Sequence, residues 1–326
     1  MFTKKKKPIS KTEIDKIYSQ PFADLIFKAQ EVIREYHNPN EVQFSTLCSI
    51  KTGGCKEDCS YCPQSALYDA DVDVHPLLDE DFILEQAKSA KDCGSTRFCM
   101  GASWRDAPDD KQFDQILRIV SSVKGMGMEP CVTLGMLHGD QAKRLKEAGL
   151  HSYNHNLDTS PEYYPEVIGT RTYQERLDTI GLVQEAGVNV CSGGIVGLGE
   201  SKEDRISFLH QLAILNPQPA SVPVNVLVPV KGTPQYDRLE KEGKLDEPID
   251  KFEFIRTIAT ARIIMPKAAV RLSAGRLTMS DELQALAFLA GANSIFAGEK
   301  LLTTPNPGES RDHDLVGALG IKIKTL

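Results

Sequence analysis

The stretch RTYQERLDTIGLVQEAGVNVCSGGIVGL (residues 171–198) joins a helix pattern directly to a strand pattern. Thr172 and Glu175 have the spacing of a capping box, which marks the start of a helix. Gly187 is a natural left-handed residue just beyond a helix end. The apolar run that begins at Val188 is typical of a strand buried on both faces. The stretch therefore predicts one α-helix followed at once by one buried β-strand.

The same order of helix, glycine and strand recurs along the chain. Further helices are predicted at GDQAKRLKEAGL (139–150), at SKEDRISFLHQLAIL with Ser201 as N-cap, and at MSDELQALAFLAGA with Ser280 as N-cap. The predicted strands are 42–48, 95–101, 129–135, 151–158, 188–198, 221–229, 268–275 and 293–298. Eight β-then-α units favour a (β/α)8 TIM-type barrel. A doubly wound open sheet is the alternative, because periodicity alone does not decide closure.

The chain has 326 residues, of which 41% are hydrophobic and 25% are charged, an ordinary globular composition. We expect a helical leader over 1–40 that is broken at Pro21, a barrel over 41–305 and a C-terminal extension over 306–326. No apolar segment of signal-peptide or membrane-span length follows the basic start, so a cytoplasmic protein with reduced thiols is expected. The net charge of −7 disfavours nucleic acid as a partner, and we expect the run Lys4–Lys7 to be a solvated tail.

Three cysteines crowd into TGGCKEDCSYCPQS (52–65), at Cys55, Cys59 and Cys62. This loop follows the first predicted strand, on the face where barrel active sites lie. A zinc site is one interpretation, but structural zinc usually takes four Cys or His ligands and no second close pair follows. A four-iron cluster is the other, since three thiolates would leave one iron open, as catalytic metal sites require. The spacing favours the four-iron cluster.

Three further cysteines, Cys99, Cys131 and Cys191, lie on three different predicted strands. Any one of them can be explained as a small buried hydrophobe. If the sheet closes, all three can direct their side chains into one interior. Spacing alone leaves a second metal cluster and ordinary core packing equally open. Cys48 and Cys93 are predicted to be packing residues.

The segment YNHNLD (153–158) is polar for a buried strand. Asn154, Asn156 and Asp158 alternate and therefore share one face. Asn225 is likewise a polar residue on a strand that is predicted to be buried, the sixth. Buried amides and carboxylates need partners, or each costs about 1–3 kcal/mol. A ligand with polar edges and an internal side-chain network would both satisfy them.

The stretch SGGIVGLGE (192–200) contains glycines at 194, 197 and 199, which do not match a phosphate-binding fingerprint. We expect these glycines to let the backbone approach a ligand closely.

These motifs resemble those of a known family. GGCKEDCSYCPQS, with Tyr61 before its third cysteine, is similar to the cluster loop of the radical S-adenosylmethionine enzymes. Among these enzymes the chain resembles the biotin synthases, in the stretches STRFCMGASW, YNHNLDTSPEYY, TRTYQERLDTI, VCSGGIVGLGE, VPVNVLVPVKGTP, VRLSAGR and GANSIFAGEKLLTTPNP. The resemblance runs from about the first strand to TTPNP. It implies a TIM barrel sulfurtransferase that inserts sulfur into dethiobiotin, the last step of biotin biosynthesis.

The resemblance also implies which residues bind the cofactors. A 4Fe-4S cluster would be held by Cys55, Cys59 and Cys62, and a 2Fe-2S cluster by Cys99, Cys131, Cys191 and Arg271. Arg271 rests on the resemblance alone, since a buried arginine is ordinarily paired with an acid. Arg97 has the parity of Cys99 and is expected nearby.

The ligand contacts are implied by the same resemblance. S-adenosylmethionine would be bound by Tyr61, Asn156, Asp158 and Arg176, and dethiobiotin by Asn154, Asn156 and Asn225. A solvated helix face is the alternative for Arg176. The clusters and S-adenosylmethionine would carry the chemistry, so no acid–base residue is expected.

The expected partners are a flavodoxin-type electron donor, the iron–sulfur assembly machinery and a second copy of the chain in a homodimer. Two other functions stay open. One is a radical S-adenosylmethionine enzyme with a different substrate, and the other is a non-catalytic iron–sulfur or zinc protein.

Overall fold

A closed barrel of parallel strands forms the centre of the computed structural model, which describes residues 8–325. The strands of the sheet are β1 (Glu41–Lys51), β2 (Arg97–Ala102), β3 (Glu129–Thr133), β4 (Ser152–Asn154), β5 (Asn189–Cys191), β6 (Gly194–Val196), β7 (Ser221–Val226), β8 (Ala269–Leu272), β9 (Ser294–Ala297) and β10 (Lys322–Ile323). Neighbours pair in the order β1-β2-β3-β4-β5-β7-β8-β9, β6 pairs with β7, and β9 pairs back onto β1. The predicted TIM-type barrel is therefore confirmed, and the open sheet is wrong.

Helices surround the barrel, because each β-then-α unit returns the chain along the outside of the sheet. Within residues 8–325 the α-helices are α1 (Lys11–Tyr18), α2 (Phe22–Tyr36), α3 (Glu80–Asp92), α4 (Lys111–Gly125), α5 (Gly139–Glu147), α6 (Tyr173–Glu185), α7 (Lys202–Ile214), α8 (Pro234–Lys241), α9 (Lys251–Ile264), α10 (Asp281–Leu289) and α11 (Glu309–Ala318). Short 3-10 helices cover Tyr164–Glu166 and Arg276–Thr278. The predicted N-caps Thr172, Ser201 and Ser280 all accept a backbone hydrogen bond from the first turn.

Two predicted strands are shorter or more broken than expected. The run 188–198 divides into β5 and β6, because the chain leaves the ladder at Ser192 and Gly193 and pairs again from Gly194. The run 151–158 is a strand only over β4. Asp158, with a left-handed φ of 65°, lies beyond the end of β4 and forms an isolated parallel bridge with Gly194.

Both ends of the described chain pack against the barrel. α1 and α2 lie on either side of Pro21, as predicted, and both contact α9. β10 adds a parallel strand outside the barrel at the start of β1, pairing Glu41 with Lys322. The run Lys4–Lys7 lies outside the described residues. Within 8–325, no helix has the length and apolarity that crossing a bilayer requires.

Candidate active site

The carboxyl ends of the barrel strands enclose a cavity of about 270 Å³, which we call the upper cavity. Its polar wall contains Tyr61, Cys62, Asn154, Asn156, Asp158, Asn225 and Ser273, and its floor contains Cys99, Cys131 and Cys191. The segment 301–304 also lines the cavity, and Leu301 packs with Cys99 and Cys131. The upper cavity therefore brings the cysteine loop, the polar strand residues and the strand cysteines to one space.

The cysteine loop is closed on itself by main-chain hydrogen bonds. Cys62 N donates to Cys59 O over 2.9 Å, and Cys55 N donates to Gln64 O over 2.9 Å. All three cysteines are half-buried, and burial raises the pKa of Cys62 to about 12. Thiols that are neutral in the metal-free protein must release their protons when a metal binds, so cluster loading here is a proton-releasing step.

Two acids inside the loop anchor it, and neither was predicted from the sequence. Glu57 Oε1 accepts hydrogen bonds from Arg105 Nε at 2.9 Å and from Arg171 Nη2 at 2.7 Å. Asp58 Oδ1 accepts from the main-chain N–H groups of Gly169 and Thr170, both at 2.9 Å. The adjacent acids in CKEDC were the available signal, but their partners lie more than 45 residues away in sequence.

Arg176 and Asp158 form a buried ion pair at the side of the upper cavity. Arg176 Nη2 lies 2.7 Å from Asp158 Oδ2, and its other nitrogens donate to Tyr164 Oη and to Asn156 O, each over 2.8 Å. The solvated helix face considered for Arg176 is therefore wrong. Burial raises the pKa of Asp158, although Arg176 and a hydrogen bond from Tyr61 oppose that shift.

The asparagines of the upper cavity are held by internal hydrogen bonds. Asn225 Nδ2 donates to Gly194 O over 2.9 Å, while its Oδ1 accepts from Ala274 N over 3.1 Å. Asn154 Nδ2 donates to Cys191 Sγ over 3.3 Å, and its Oδ1 accepts from Thr133 Oγ1. These bonds fix which end of each amide faces the cavity, so an internal network exists and also leaves polar edges on the cavity wall.

Cys99, Cys131 and Cys191 come together at the floor of the upper cavity. Cys99 and Cys131 are register partners on β2 and β3, and their thiols hydrogen-bond. This hydrogen bond and complete burial raise the pKa of Cys131 well above its usual value, with a further contribution from Cys191. Three strands thus direct three thiols into one buried volume.

Arg271 reaches the same volume from β8. It is fully buried, its Nη1 lies 3.7 Å from Cys191 Sγ, and its Nε donates to Ser294 Oγ over 2.9 Å. The guanidinium stacks over the ring of Phe296, 4.8 Å from the centroid. Among residues 8–325 no carboxylate lies within ion-pair distance of it, so the pairing that a buried arginine ordinarily has is not found here.

The glycines at 194, 197 and 199 lie close to other parts of the protein. A methyl group on Gly194 would overlap the carbonyl oxygen of Asp158, and one on Gly199 would meet Arg238 and Tyr163. Gly197 faces Ile249 with a left-handed φ of 91°. Neighbouring protein atoms therefore leave little room for a larger side chain at Gly194 and Gly199, while the approach of the backbone to a ligand stays a prediction.

The donor sets fit iron–sulfur clusters. Each candidate set supplies three cysteine thiols, the ligand type that such clusters select. In the part of the chain that the structure describes, no three His, Cys, Asp or Glu side chains converge tightly enough for a single metal ion. Cluster thiolates bind separate irons, so they need not converge on one point. Cys48 belongs to neither set and packs against the hydrophobic core, and Cys93 caps α3.

Comparisons with known proteins agree with this geometry. The sequence model of the radical SAM superfamily matches residues 49–212, and that of the Biotin and Thiamin Synthesis associated domain matches 223–322. The fold is similar to methylornithine synthase, with a TM-score of 0.78 and 18% identity over 98% of this chain and 95% of that one. It is also similar to the FeFe-hydrogenase maturase HydG from Carboxydothermus hydrogenoformans, with a TM-score of 0.80 and 18% identity over 98% of this chain and 76% of that one. The fold and the cysteine loop thus define a radical S-adenosylmethionine barrel protein.

Proteins of similar sequence show which family of this class the chain belongs to. The chain is 57% identical over 312 residues to the biotin synthase of Cupriavidus metallidurans, covering 96% of this chain and 88% of the relative. It is 56% identical to the biotin synthases of Acinetobacter baumannii and Cytophaga hutchinsonii, again over 96% of this chain and over 92% and 90% of those proteins. The chain belongs to the biotin synthase family.

Proposed function

We infer that this protein is an enzyme that inserts sulfur into dethiobiotin to form biotin, with S-adenosylmethionine, a 4Fe-4S cluster and a 2Fe-2S cluster as cofactors. One observation carries the inference. Cys62 of the cysteine loop and the deep cysteines Cys99, Cys131 and Cys191 line one cavity, in a chain whose relatives at 56–57% identity are biotin synthases. Arg271, which has no carboxylate partner among residues 8–325, lies 3.7 Å from Cys191 Sγ. The family and the site geometry thus support the same reaction.

The two sets of residues are assigned to two different clusters. Cys55, Cys59 and Cys62 hold the 4Fe-4S cluster, and Cys99, Cys131, Cys191 and Arg271 hold the 2Fe-2S cluster. When bound, these groups and S-adenosylmethionine supply a radical that removes hydrogen from unactivated carbon, and the sulfur that replaces it. The protein binds and orients these groups and the substrate, and it shields the upper cavity from water.

Sealing is supported by the upper cavity's apolar surfaces. Leu47, Ile195, Val226 and Phe296 line it, together with the segment 301–304. A reactive carbon radical abstracts hydrogen from many donors, so a closed and largely dry cavity limits side reactions. The barrel wall keeps the substrate as the nearest source of hydrogen.

Arg176 is suited to bind the carboxylate of S-adenosylmethionine. Its charge is secured, because Asp158 and Tyr164 raise its pKa even though burial opposes the charge. Guanidinium presents several donors in one plane and pairs well with carboxylates. We assign the ribose hydroxyls to Asn156 and Asp158, and a ring contact to Tyr61.

Asn154 and Asn225 are suited to the ureido ring of dethiobiotin, which carries both N–H donors and a carbonyl acceptor. Each amide has its orientation fixed by a neighbour, Asn154 by Thr133 and Asn225 by Ala274. A pre-oriented amide loses little conformational freedom when it binds, which favours affinity. We assign Asn156 to contacts with both ligands.

Further partners are part of the same proposal. The reaction consumes electrons, and we propose a flavodoxin-type protein as the donor. We also propose a homodimer in the cytoplasm, with clusters supplied by iron–sulfur assembly proteins.

The test is an anaerobic assay with reconstituted protein, reductant, S-adenosylmethionine and dethiobiotin. We expect 5′-deoxyadenosine and biotin from the wild-type protein, and neither from Cys59→Ala, because the loop would lose a cluster ligand. Cys93→Ala is the matched control, since Cys93 caps a surface helix, and it should form both products. The products are measured by mass spectrometry.

Each other outcome has a meaning. If 5′-deoxyadenosine forms without biotin, the substrate assignment is wrong and another radical S-adenosylmethionine reaction is favoured. If Cys59→Ala still cleaves S-adenosylmethionine, the assignment of the loop is wrong.

A further inference from the structure

A second pocket of about 260 Å³ lies at the opposite end of the barrel from the upper cavity. Its wall is made by residues at the starts of strands, namely Glu41, Gln43, Arg97, Glu129, Asn189 and Ala269. Lys324, beside β10, also lines it. We call it the lower pocket. Strand cysteines Cys99, Cys131 and Cys191 lie two residues further along the same strands, so the lower pocket approaches the deep cysteines from beneath.

Three buried polar atoms lie between the lower pocket and the deep cysteines without a hydrogen-bond partner among the described residues. They are Arg97 Nη1, Ser45 Oγ and Ser221 Oγ. Ser45 is the register neighbour of Arg97, and Ser221 is the register neighbour of Cys191. Arg97 is 4% exposed and both serines are fully buried. Leaving such groups without a hydrogen bond costs about 1–3 kcal/mol each, so a polar ligand that bonds to them would be stabilised. We call these three residues the donor layer.

The charge of this layer favours an anion. Arg97 is neutralised by Glu129, with Nη2 2.7 Å from Oε2. Arg271 has no carboxylate within ion-pair distance among residues 8–325, so its positive charge is uncompensated there. Arginine nitrogens are donors only, and serine hydroxyls can donate as well. A small monovalent anion would satisfy both the donors and the charge, which neutral water would do only in part.

A polar side chain, rather than packed apolar residues, separates the lower pocket from this layer. Gln43 Nε2 donates to Glu129 Oε2 over 3.0 Å, while Gln43 Oε1 lies 3.5 Å from Arg271 Nη2. A glutamine has rotamers that can exchange these partners without opening the hydrophobic core. The lower pocket is therefore connected to Arg271 through one movable amide.

We propose that the lower pocket and the donors Arg97, Ser45 and Ser221 form a site that takes up hydrosulfide for assembly of the second cluster. The proposal rests on the proposed function, because it requires that the deep cysteines hold an iron–sulfur cluster. Sulfide near neutral pH is largely a small monovalent anion, which matches the charge and size of the donor layer. From above, the same cysteines are reached through the upper cavity, where we propose that S-adenosylmethionine and dethiobiotin bind. Uptake of hydrosulfide through the lower pocket would leave the upper cavity undisturbed.

The first test blocks the lower pocket with Ala269→Phe. Ala269 lines the pocket and has the inward parity of Arg271, so a phenyl ring there fills the passage. The matched control is Ala285→Phe, which fills a surface groove beside α10. Full-length protein without clusters is mixed anaerobically with ferric iron, sulfide and a thiol that can reduce part of the iron, and freeze-quenched Mössbauer spectra follow both clusters in the same sample.

We expect 2Fe-2S assembly in Ala269→Phe to be about tenfold slower, which corresponds to about 1.4 kcal/mol on the activation barrier. Assembly of the 4Fe-4S cluster, at the other end of the barrel, should keep its wild-type rate, and so should both clusters in Ala285→Phe. Equal slowing of both clusters, or no slowing of either, would overturn the proposal.

A second variant tests the anion site without filling any space. Ser45→Ala with Ser221→Ala removes two donors and leaves the ion pair of Arg97 and Glu129 in place. With ferric iron and the thiol reductant in excess, we expect the sulfide concentration for half-maximal 2Fe-2S assembly to rise severalfold, while that for the 4Fe-4S cluster stays constant. An unchanged sulfide dependence would contradict the proposal. If the wild-type protein forms no 2Fe-2S cluster at all, the proposed function fails instead.

Discussion

At the scale of single residues, two buried arginines differ in what surrounds them. Arg276 forms a fully buried ion pair with Asp312 and also donates to Phe296 O. Arg271, equally buried, contacts Cys191, Ser294 and Gln43 and no carboxylate of the described residues. An ion pair stabilises Arg276 in the metal-free chain. Arg271 has no such compensation until a partner binds.

This contrast predicts that two matched substitutions lower the free energy of unfolding by very different amounts. Arg276→Met leaves Asp312 buried without its partner and should lower the free energy of unfolding by about 3–5 kcal/mol. Arg271→Met removes an unpaired buried charge and should cost far less in the cluster-free protein, while changing the visible spectrum of the 2Fe-2S cluster after reconstitution. Urea unfolding and absorption spectroscopy measure the two effects. A loss of stability in Arg271→Met as large as that in Arg276→Met would show that Arg271 is purely structural.

Asp58 gives the cysteine loop a dependence on pH. Burial works against its charge, but hydrogen bonds from Thr170 and Gly169 outweigh burial and hold the pKa of the carboxyl below its usual 3.8. A lowered pKa in the folded state stabilises the fold above the unfolded value, and this contribution is lost as the pH falls through the folded value.

We therefore expect Asp58→Asn to be less stable than wild type by a constant amount from neutral pH down to about pH 5, with the gap closing as the pH falls below the unfolded Asp value of about 4. Urea unfolding at a series of pH values checks this, as far into acid as the wild type unfolds cooperatively. A gap that widens on acidification would contradict the assigned role of Asp58.

Most residues of the candidate site could be predicted from the sequence, but few of the contacts between them could. The spacing of Cys55, Cys59 and Cys62 and the alternation of Asn154, Asn156 and Asp158 are visible in sequence because each lies within one segment. The contacts of Glu57 with Arg171 and of Arg176 with Asp158 join different elements. Such contacts depend on how the barrel closes, which no local pattern encodes.

At the scale of elements, the break between β5 and β6 shapes the wall of the upper cavity. A methyl group on Gly193 would overlap the carbonyl oxygen of Pro223 on β7, and Gly193 N donates to Asn156 Oδ1 over 3.1 Å. The backbone at Gly193 therefore lies closer to β7 than a residue with a side chain could. The hydrogen bond from Gly193 N holds the Asn156 amide in place.

Gly193→Ala should accordingly destabilise the protein by about 1–3 kcal/mol, as overpacking in a filled interior does. Gly181→Ala is the matched control. It lies inside α6, where an added methyl group meets open space, and should be neutral or stabilising by up to about 1 kcal/mol. Thermal and urea unfolding compare the two. Equal stabilities for both variants would mean that β5 and β7 can separate without cost.

Element positions were predictable where the signal is local. The capping-box spacing at Thr172, the N-cap at Ser201 and the apolar runs indicated the helices and most strands, because caps and periodicity act within a few residues. The split of 188–198 was not predictable, since it results from contacts with β7. The end of β4 at Asn154 was not predictable either, because the polar alternation of 154–158 continues past it.

At the scale of the whole molecule, closure of the barrel creates two openings with different chemistry. The upper cavity combines thiols, amides and apolar walls, while the lower pocket is formed by charged residues at the strand starts. The deep cysteines and Arg271 lie between them. This arrangement allows substrate binding and cluster assembly to use opposite ends of one scaffold.

The proposed reaction requires that the loop cysteines and the deep cysteines hold two different clusters. Mössbauer spectroscopy of Cys131→Ala, reconstituted with isotopically enriched iron, separates the two sets in one sample. We expect the 2Fe-2S signal to disappear while the 4Fe-4S signal keeps its wild-type intensity. Retention of both signals, or loss of both together in a variant that unfolds like wild type, would refute the assignment of two separate clusters.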